Sequence, residues 1–144
     1  MRAILLGLAV LAAAAAPVRA ETWNSFSRST NNVFMADTDS IAVNGDITSI
    51  RVATAPLRGA AGDYSHSVEV YEFQCPSSKW RTSGVTDYGA DGAEADRYPE
   101  EGGSWEDVRP RTLPDYLKQI ACDGSRAEPP TWPTIQAFID AGRP

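Results

Sequence analysis

The chain has 144 residues, of which 42% are hydrophobic, with 13 Lys and Arg against 19 Asp and Glu and a formal net charge of −6. This size and composition describe one small globular domain and exclude a multi-domain or a disordered chain. The acidic balance argues against nucleic-acid binding, which requires clustered Lys and Arg. No apolar run reaches the roughly 20 residues of a membrane-spanning helix, which excludes a multi-pass membrane protein.

The N-terminus has the pattern of a secretory signal peptide. Arg2 gives it a basic start, residues 4–16 are apolar and uncharged, and Val18-Arg19-Ala20 places small residues at the −3 and −1 positions of a cut. The pattern predicts cleavage after Ala20, with an uncleaved anchor as the alternative. The mature chain would then be periplasmic or secreted and free of a lipid anchor, because no cysteine lies near the cut.

Cys75 and Cys122 are the two cysteines of the chain. An even number of cysteines in an oxidising compartment favours one structural disulfide. A redox or metal-binding thiol pair is the alternative, but the chain has no C-x-x-C motif and its single histidine, His66, is not at ligand spacing from either cysteine. We therefore predict a disulfide, and neither a metal nor another cofactor.

The mature chain begins with a series of predicted strands. Apolar alternation and turn dipeptides place them at residues 22–26, 32–36, 40–43, 46–54, 64–75 and 79–88. A polar turn is predicted at 37–39, and Asn44-Gly45 suits a tight hairpin turn. Residues 87–107 hold eight acidic residues and one basic residue, which predicts a solvated loop or hairpin.

Two helices are predicted after the strands. The first covers residues 112–122, with Thr112 as its cap, and the second covers residues 134–141 after a proline-rich linker. If the two cysteines pair, the first helix lies across the face of strand 64–75 that carries Tyr71 and Phe73, opposite Val68. The predicted fold is α+β, an antiparallel β-sheet with a C-terminal helix that one disulfide tethers to it.

No motif for catalysis or metal binding stands out. Asp37-Thr38-Asp39 begins like a calcium loop, but the later positions lack the required oxygen ligand, glycine and glutamate. His66 lies between Ser65 and Ser67, yet neighbours in a strand point to opposite faces, which argues against a Ser–His nucleophile. We predict no catalytic residues, and that the protein is not an enzyme.

Trp80 and Arg81 are the candidate binding residues. Aromatic and arginine side chains are concentrated at protein-binding hot spots, and these two follow one another in a predicted strand. The alternative is that Trp80 packs within the sheet and its neighbours point to water.

Five short motifs in chain order carry a resemblance to a known family. They are Asp37-x-Asp39-Ser40-Ile41, Ser67-Val68-x-x-Tyr71-x-x-x-Cys75, Trp80-Arg81, Trp105-x-x-Val108-x-Pro110 and Leu117-x-x-Ile120-Ala121-Cys122. Together they resemble the surface-adhesin protein E-like family over residues 23–122. The resemblance implies an exported, non-catalytic bacterial protein with a helix tethered by a Cys75–Cys122 disulfide. It also implies binding to host proteins such as laminin and vitronectin, and a possible homodimer.

The chain departs from the named adhesin of that family in three ways. It has no cysteine to acylate, its stretch matching the basic ligand-binding region is acidic, and residues 128–144 extend beyond the shared pattern. We predict a signal peptide (1–20), a surface-adhesin E-like domain (21–125) and a C-terminal extension with a short helix (126–144). The predicted function is an exported binding module for a protein or matrix ligand. A small periplasmic enzyme or a small-molecule or metal carrier is the alternative.

Overall fold

The structure is a computed structural model that describes residues 19–101 and 103–144. The predicted signal peptide, residues 1–20, lies outside the described residues apart from Arg19 and Ala20, which are exposed. Within the described ranges, no helix is long and apolar enough to cross a membrane.

Eight strands of the described chain form one antiparallel sheet, which confirms the predicted α+β fold. They are β1 (Trp23–Arg28), β2 (Asn32–Asn44), β3 (Ile47–Pro56), β4 (His66–Gln74), β5 (Lys79–Tyr88), β6 (Glu94–Pro99), β7 (Glu106–Asp107) and β8 (Thr131–Trp132). Their order across the sheet is β6-β5-β4-β3-β2-β1-β8, and β7 pairs with the beginning of β5. The helices are α1 (Leu113–Ala121) and α2 (Ile135–Asp140). Most of the acidic stretch after β5 forms a hairpin with it through β6.

Strand β2 is longer than predicted, because Asp37-Thr38-Asp39 lies within it and not in a turn. The register of β2 against β3 shifts between Asp37 and Ala42. At this irregularity the Ser40 hydroxyl donates to the Asp37 carbonyl at 2.7 Å and accepts from the Arg51 N–H at 2.8 Å. These side-chain hydrogen bonds replace part of the ladder, so the strand continues through a bulge.

Each face of the sheet carries its own apolar cluster, covered by one helix. Ile50 pairs with Tyr71 and Ala53 pairs with Val68, and alternation puts these pairs on opposite faces, as predicted for Tyr71 and Val68. Helix α1 covers the first face, here called the α1 face, whose buried core is Ala36, Ile50, Val52, Tyr71, Phe73, Leu117 and Ile120. Helix α2 covers the other, the α2 face, whose buried core is Trp23, Val33, Met35, Ala53, Ala55, Val68, Ile135, Phe138 and Ile139.

A disulfide tethers α1 to the sheet, as predicted. It joins Cys75, just after β4, to Cys122, just after α1, with Cα atoms 5.8 Å apart. Thr112 lies at the N-cap position of α1, as predicted, but its hydroxyl donates to the Arg109 carbonyl at 2.7 Å and makes no cap hydrogen bond. The helix is held by its buried side chains and by the disulfide.

The C-terminal segment completes the α2 face. Strand β8 extends the sheet beyond β1 by pairing Trp132 with Trp23. Thr134 caps α2 by accepting from the Ala137 N–H at 3.0 Å. Phe138 packs edge-on against Trp132, with ring centroids 5.8 Å apart. The last strand and helix therefore share a core with the preceding strands.

Candidate functional site

Trp80 lies half-buried on the α1 face, near the beginning of β5. Its ring stacks on that of Tyr71, with centroids 5.6 Å apart and planes inclined by 15°. Trp80 also lines a cleft of about 230 Å³, here called the Trp80 cleft, whose other walls are Glu106, Asp107, Arg109, Thr112 and Pro114. The side chain thus packs against the sheet and also faces the cleft.

Arg81 points to the opposite face, because neighbouring strand residues alternate, so Trp80 and Arg81 do not form one surface. Its Nε donates to a carboxylate oxygen of Glu72 at 2.6 Å, and its Nη1 donates to the Gly103 carbonyl at 3.4 Å. The guanidinium carbon lies 4.3 Å from the ring centroid of Trp105. Arg81 therefore holds the segment that leads into β7. Sequence reasoning missed this contact, because no local pattern pairs Arg81 with Trp105.

Further contacts fix the part of the Trp80 cleft formed by Glu106 and Asp107, here called the acidic wall. Lys79 Nζ donates to Asp107 Oδ1 at 2.8 Å, and this hydrogen bond lowers the pKa of Asp107. The Val108 N–H donates to the Ser78 carbonyl at 2.9 Å. Because Lys79 balances the charge of Asp107, Glu106 is the carboxylate lining the cleft that has no ion-pair partner among the described residues.

The disulfide shapes the opposite wall of the cleft. Thr112 and Pro114 belong to the beginning of α1, and the Cys75–Cys122 bond holds the other end of this helix on the sheet. The two cysteines are thus structural, and they support the cleft without lining it.

His66 is the first residue of β4 and pairs with Tyr88, the last residue of β5. Its side chain lies on the α2 face. Its ring stacks on Tyr88, with centroids 4.5 Å apart and planes within 2° of parallel. Its Nδ1 lies 2.7 Å from the Tyr64 carbonyl and must donate, since a carbonyl oxygen only accepts. Burial lowers the pKa of the imidazole. The neighbouring Ser65 hydroxyl donates to Asp63 at 2.6 Å and so is engaged away from His66.

The buried acidic residue Asp37 is bound by other groups of the protein. The carboxylate of Asp37 is almost fully buried, accepts from the Thr22 N–H at 3.1 Å and pairs with Arg51 at 3.3 Å; burial raises its pKa. Across residues 19–101 and 103–144, no group of three or more His, Cys, Asp or Glu is placed to hold a metal ion.

Comparison with known protein families gives a match over most of the chain. The model of the family described as surface-adhesin protein E matches residues 23–123, which include β1 to β7, α1 and both cysteines, and end before β8 and α2. No curated protein and no solved structure matches the chain. A family of surface adhesins consists of exported proteins. Because the match covers well over half of the chain, the protein belongs to the surface-adhesin protein E family.

Proposed function

We propose that this protein is an exported binding module without catalytic activity, which engages a protein partner through the Trp80 cleft. The observation that carries the proposal is the position of Trp80, whose ring is supported by Tyr71 and lines a cleft with charged walls. Aromatic side chains in such pockets contribute much of the energy of protein interfaces. Membership in a surface-adhesin family supports a binding role.

The unpaired carboxylate of Glu106 and the net negative charge of the chain favour a basic segment of the partner. Glu106 has no ion-pair partner among the described residues, and it lines the cleft together with Trp80 and the cation Arg109. Removal of Arg2 and Arg19 with the leader would change the formal net charge from −6 to −8. A Lys or Arg of the partner would lie near Glu106, with an adjacent apolar group on Trp80. Arg81 acts as a positioning residue, because it holds the segment that forms the acidic wall.

Binding to immobilised laminin and vitronectin tests the proposal. Trp80→Phe keeps a ring on Tyr71 but reduces the surface offered to the cleft, and Glu106→Gln removes the charge of the unpaired carboxylate. Each should weaken binding about five- to tenfold, and the Glu106 contribution should shrink with added salt. Glu101→Gln, an exposed carboxylate outside the cleft lining, is the matched control and should bind like the wild type. Unchanged binding by both cleft variants would contradict the cleft, and no binding by the wild type would contradict a matrix partner.

We also propose that the leader is removed after Ala20, which leaves a periplasmic or secreted protein. Glu21 is held by the fold, because its carboxylate accepts from Arg51 Nη1 at 2.8 Å and from Trp23 Nε1 at 2.9 Å. Arg19 and Ala20 are exposed, so the cut would fall just outside the folded domain. N-terminal sequencing of the exported protein should begin at Glu21, whereas a retained leader would support the uncleaved anchor.

A further inference from the structure

A second cavity, of about 140 Å³, lies on the α2 face, at the opposite end of β5 from Trp80. This volume corresponds to four or five water molecules at about 30 Å³ each. Its polar wall is formed by Glu21, Arg51, His66 and Gln136, and its apolar wall includes Tyr88 and Ile135. The cavity therefore has room for a compound of a few heavy atoms with one polar end.

The polar wall offers hydrogen-bond acceptors. Since Nδ1 of His66 donates to the Tyr64 carbonyl, Nε2 of the neutral ring is an acceptor. The two carboxylate oxygens of Glu21 each accept one hydrogen bond, from Arg51 and Trp23, and each retains a lone pair. The amide of Gln136 supplies a carbonyl oxygen. Three side chains that carry acceptors thus line one small volume, and they come from separate parts of the chain.

The charges around the cavity favour a cation. Arg51 pairs with Glu21 at 2.8 Å and with Asp37 at 3.3 Å, so one guanidinium faces two carboxylates. An anion would meet this excess of negative charge, whereas a cation would balance it.

We propose that this cavity binds a small primary ammonium compound. Its three N–H donors would reach Glu21, Nε2 of His66 and the carbonyl oxygen of Gln136, and its short apolar tail would lie against Tyr88 and Ile135. The site is separate from the Trp80 cleft, so the failure of one proposal leaves the other standing. Gln136 and Ile135 belong to α2, which lies outside the residues matched by the family.

The test titrates the protein from Glu21 to Pro144 with propylammonium and follows the NMR ring signals of His66. Because the sequence contains one histidine, these signals need no further assignment. Propylammonium should shift them saturably, with a dissociation constant in roughly the millimolar range expected for a ligand of a few heavy atoms. Tetramethylammonium, which has no N–H donor, and acetate, which has the opposite charge, should not.

Variants locate the binding. Glu21→Gln should weaken propylammonium binding about tenfold, through loss of the charge. Gln136→Leu removes one acceptor without touching the Glu21–Arg51 pair and should weaken it about threefold, which keeps the test valid if the first variant unfolds. Glu128→Gln, an exposed carboxylate outside the cavity lining, is the matched control. The proposal is overturned by the absence of a saturable shift, by an equal shift with tetramethylammonium or acetate, or by unchanged affinity in both cavity variants.

Discussion

Replacement of Cys122 by serine should remove a large share of the stability of this protein. The disulfide joins residues 47 positions apart, and a cross-link of this span restricts the unfolded chain by about 4 kcal/mol at 25 °C in the chain-entropy treatment. A domain of this size is stabilised by only about 5–15 kcal/mol in total. The variant should therefore remain folded at room temperature but unfold much earlier on heating.

Thermal and urea unfolding of the wild type, Cys122→Ser and Cys75→Ser, each with and without reductant, measures the effect. A loss of about 4 kcal/mol corresponds to a midpoint lower by roughly 10–15 °C in a domain of this length. The reduced wild type and both variants should share one midpoint, because each lacks only the cross-link.

Two results would refute this reasoning. The first is a midpoint that neither the variants nor the reductant move, since the cross-link would then not restrict the unfolded chain. The second is a double variant, Cys75→Ser with Cys122→Ser, that loses clearly more stability than either single variant. The additional loss would show that the stability comes from packing of the half-buried cysteine side chains beside the α1-face core, and not from the cross-link.

Four further predictions test other parts of the fold. Phe138→Ala should cost about 3–5 kcal/mol in urea unfolding, because the ring is fully buried; a cost below 1 kcal/mol would mean that α2 does not belong to the folding unit. Arg51→Met should cost about 1.5–3 kcal/mol, since it leaves the buried Asp37 carboxylate without its cation. Gly84→Ala should reduce amide exchange protection in β6 selectively, because Gly84 has a φ of +135° and an added Cβ would lie 3.0 Å from the Tyr98 carbonyl oxygen. Burial lowers the pKa of His66 from its ordinary value of 6.5, so the unfolded state binds more protons and stability should fall as the pH drops below about 6.5; His66→Phe should flatten this slope in urea unfolding.

Most of the architecture could be predicted from the sequence because its signals are local. Gly45, expected in a left-handed turn position, has a φ of +62°. The alternation along β4 correctly separated Tyr71 from Val68, since a strand keeps its period of two. The pairing of Cys75 with Cys122 followed from the compartment and from an even number of cysteines.

The errors arise where another contact overrides the preference of a residue type. Asp37 is a turn-forming residue by type, yet the Thr22 N–H and Arg51 satisfy its carboxylate inside a strand. Thr112 is a cap former by type, yet its hydroxyl donates to the Arg109 carbonyl. Thr22 and Arg51 lie 15 and 14 residues from Asp37 in the sequence. A local sequence pattern therefore does not predict these contacts.

The candidate site was only partly accessible from sequence for the same reason. Trp80 could be singled out as an aromatic residue in a strand, and alternation along β5 sends Trp80 and Arg81 to opposite faces. The contact between Arg81 and Trp105 and the acidic wall that it supports depend on the return of the chain along β5.

The C-terminal segment contributes to one face of the sheet only. The disulfide, α1 and the Trp80 cleft lie within the matched residues, on the α1 face. Ile135 and Phe138 lie beyond the match and complete the α2 face, where α2 also closes the cavity beside His66. The Trp80 cleft is therefore lined entirely by matched residues, whereas the cavity also depends on Glu21, Ile135 and Gln136 from outside the match. Because the sheet separates the two faces, the cleft and the cavity can vary independently.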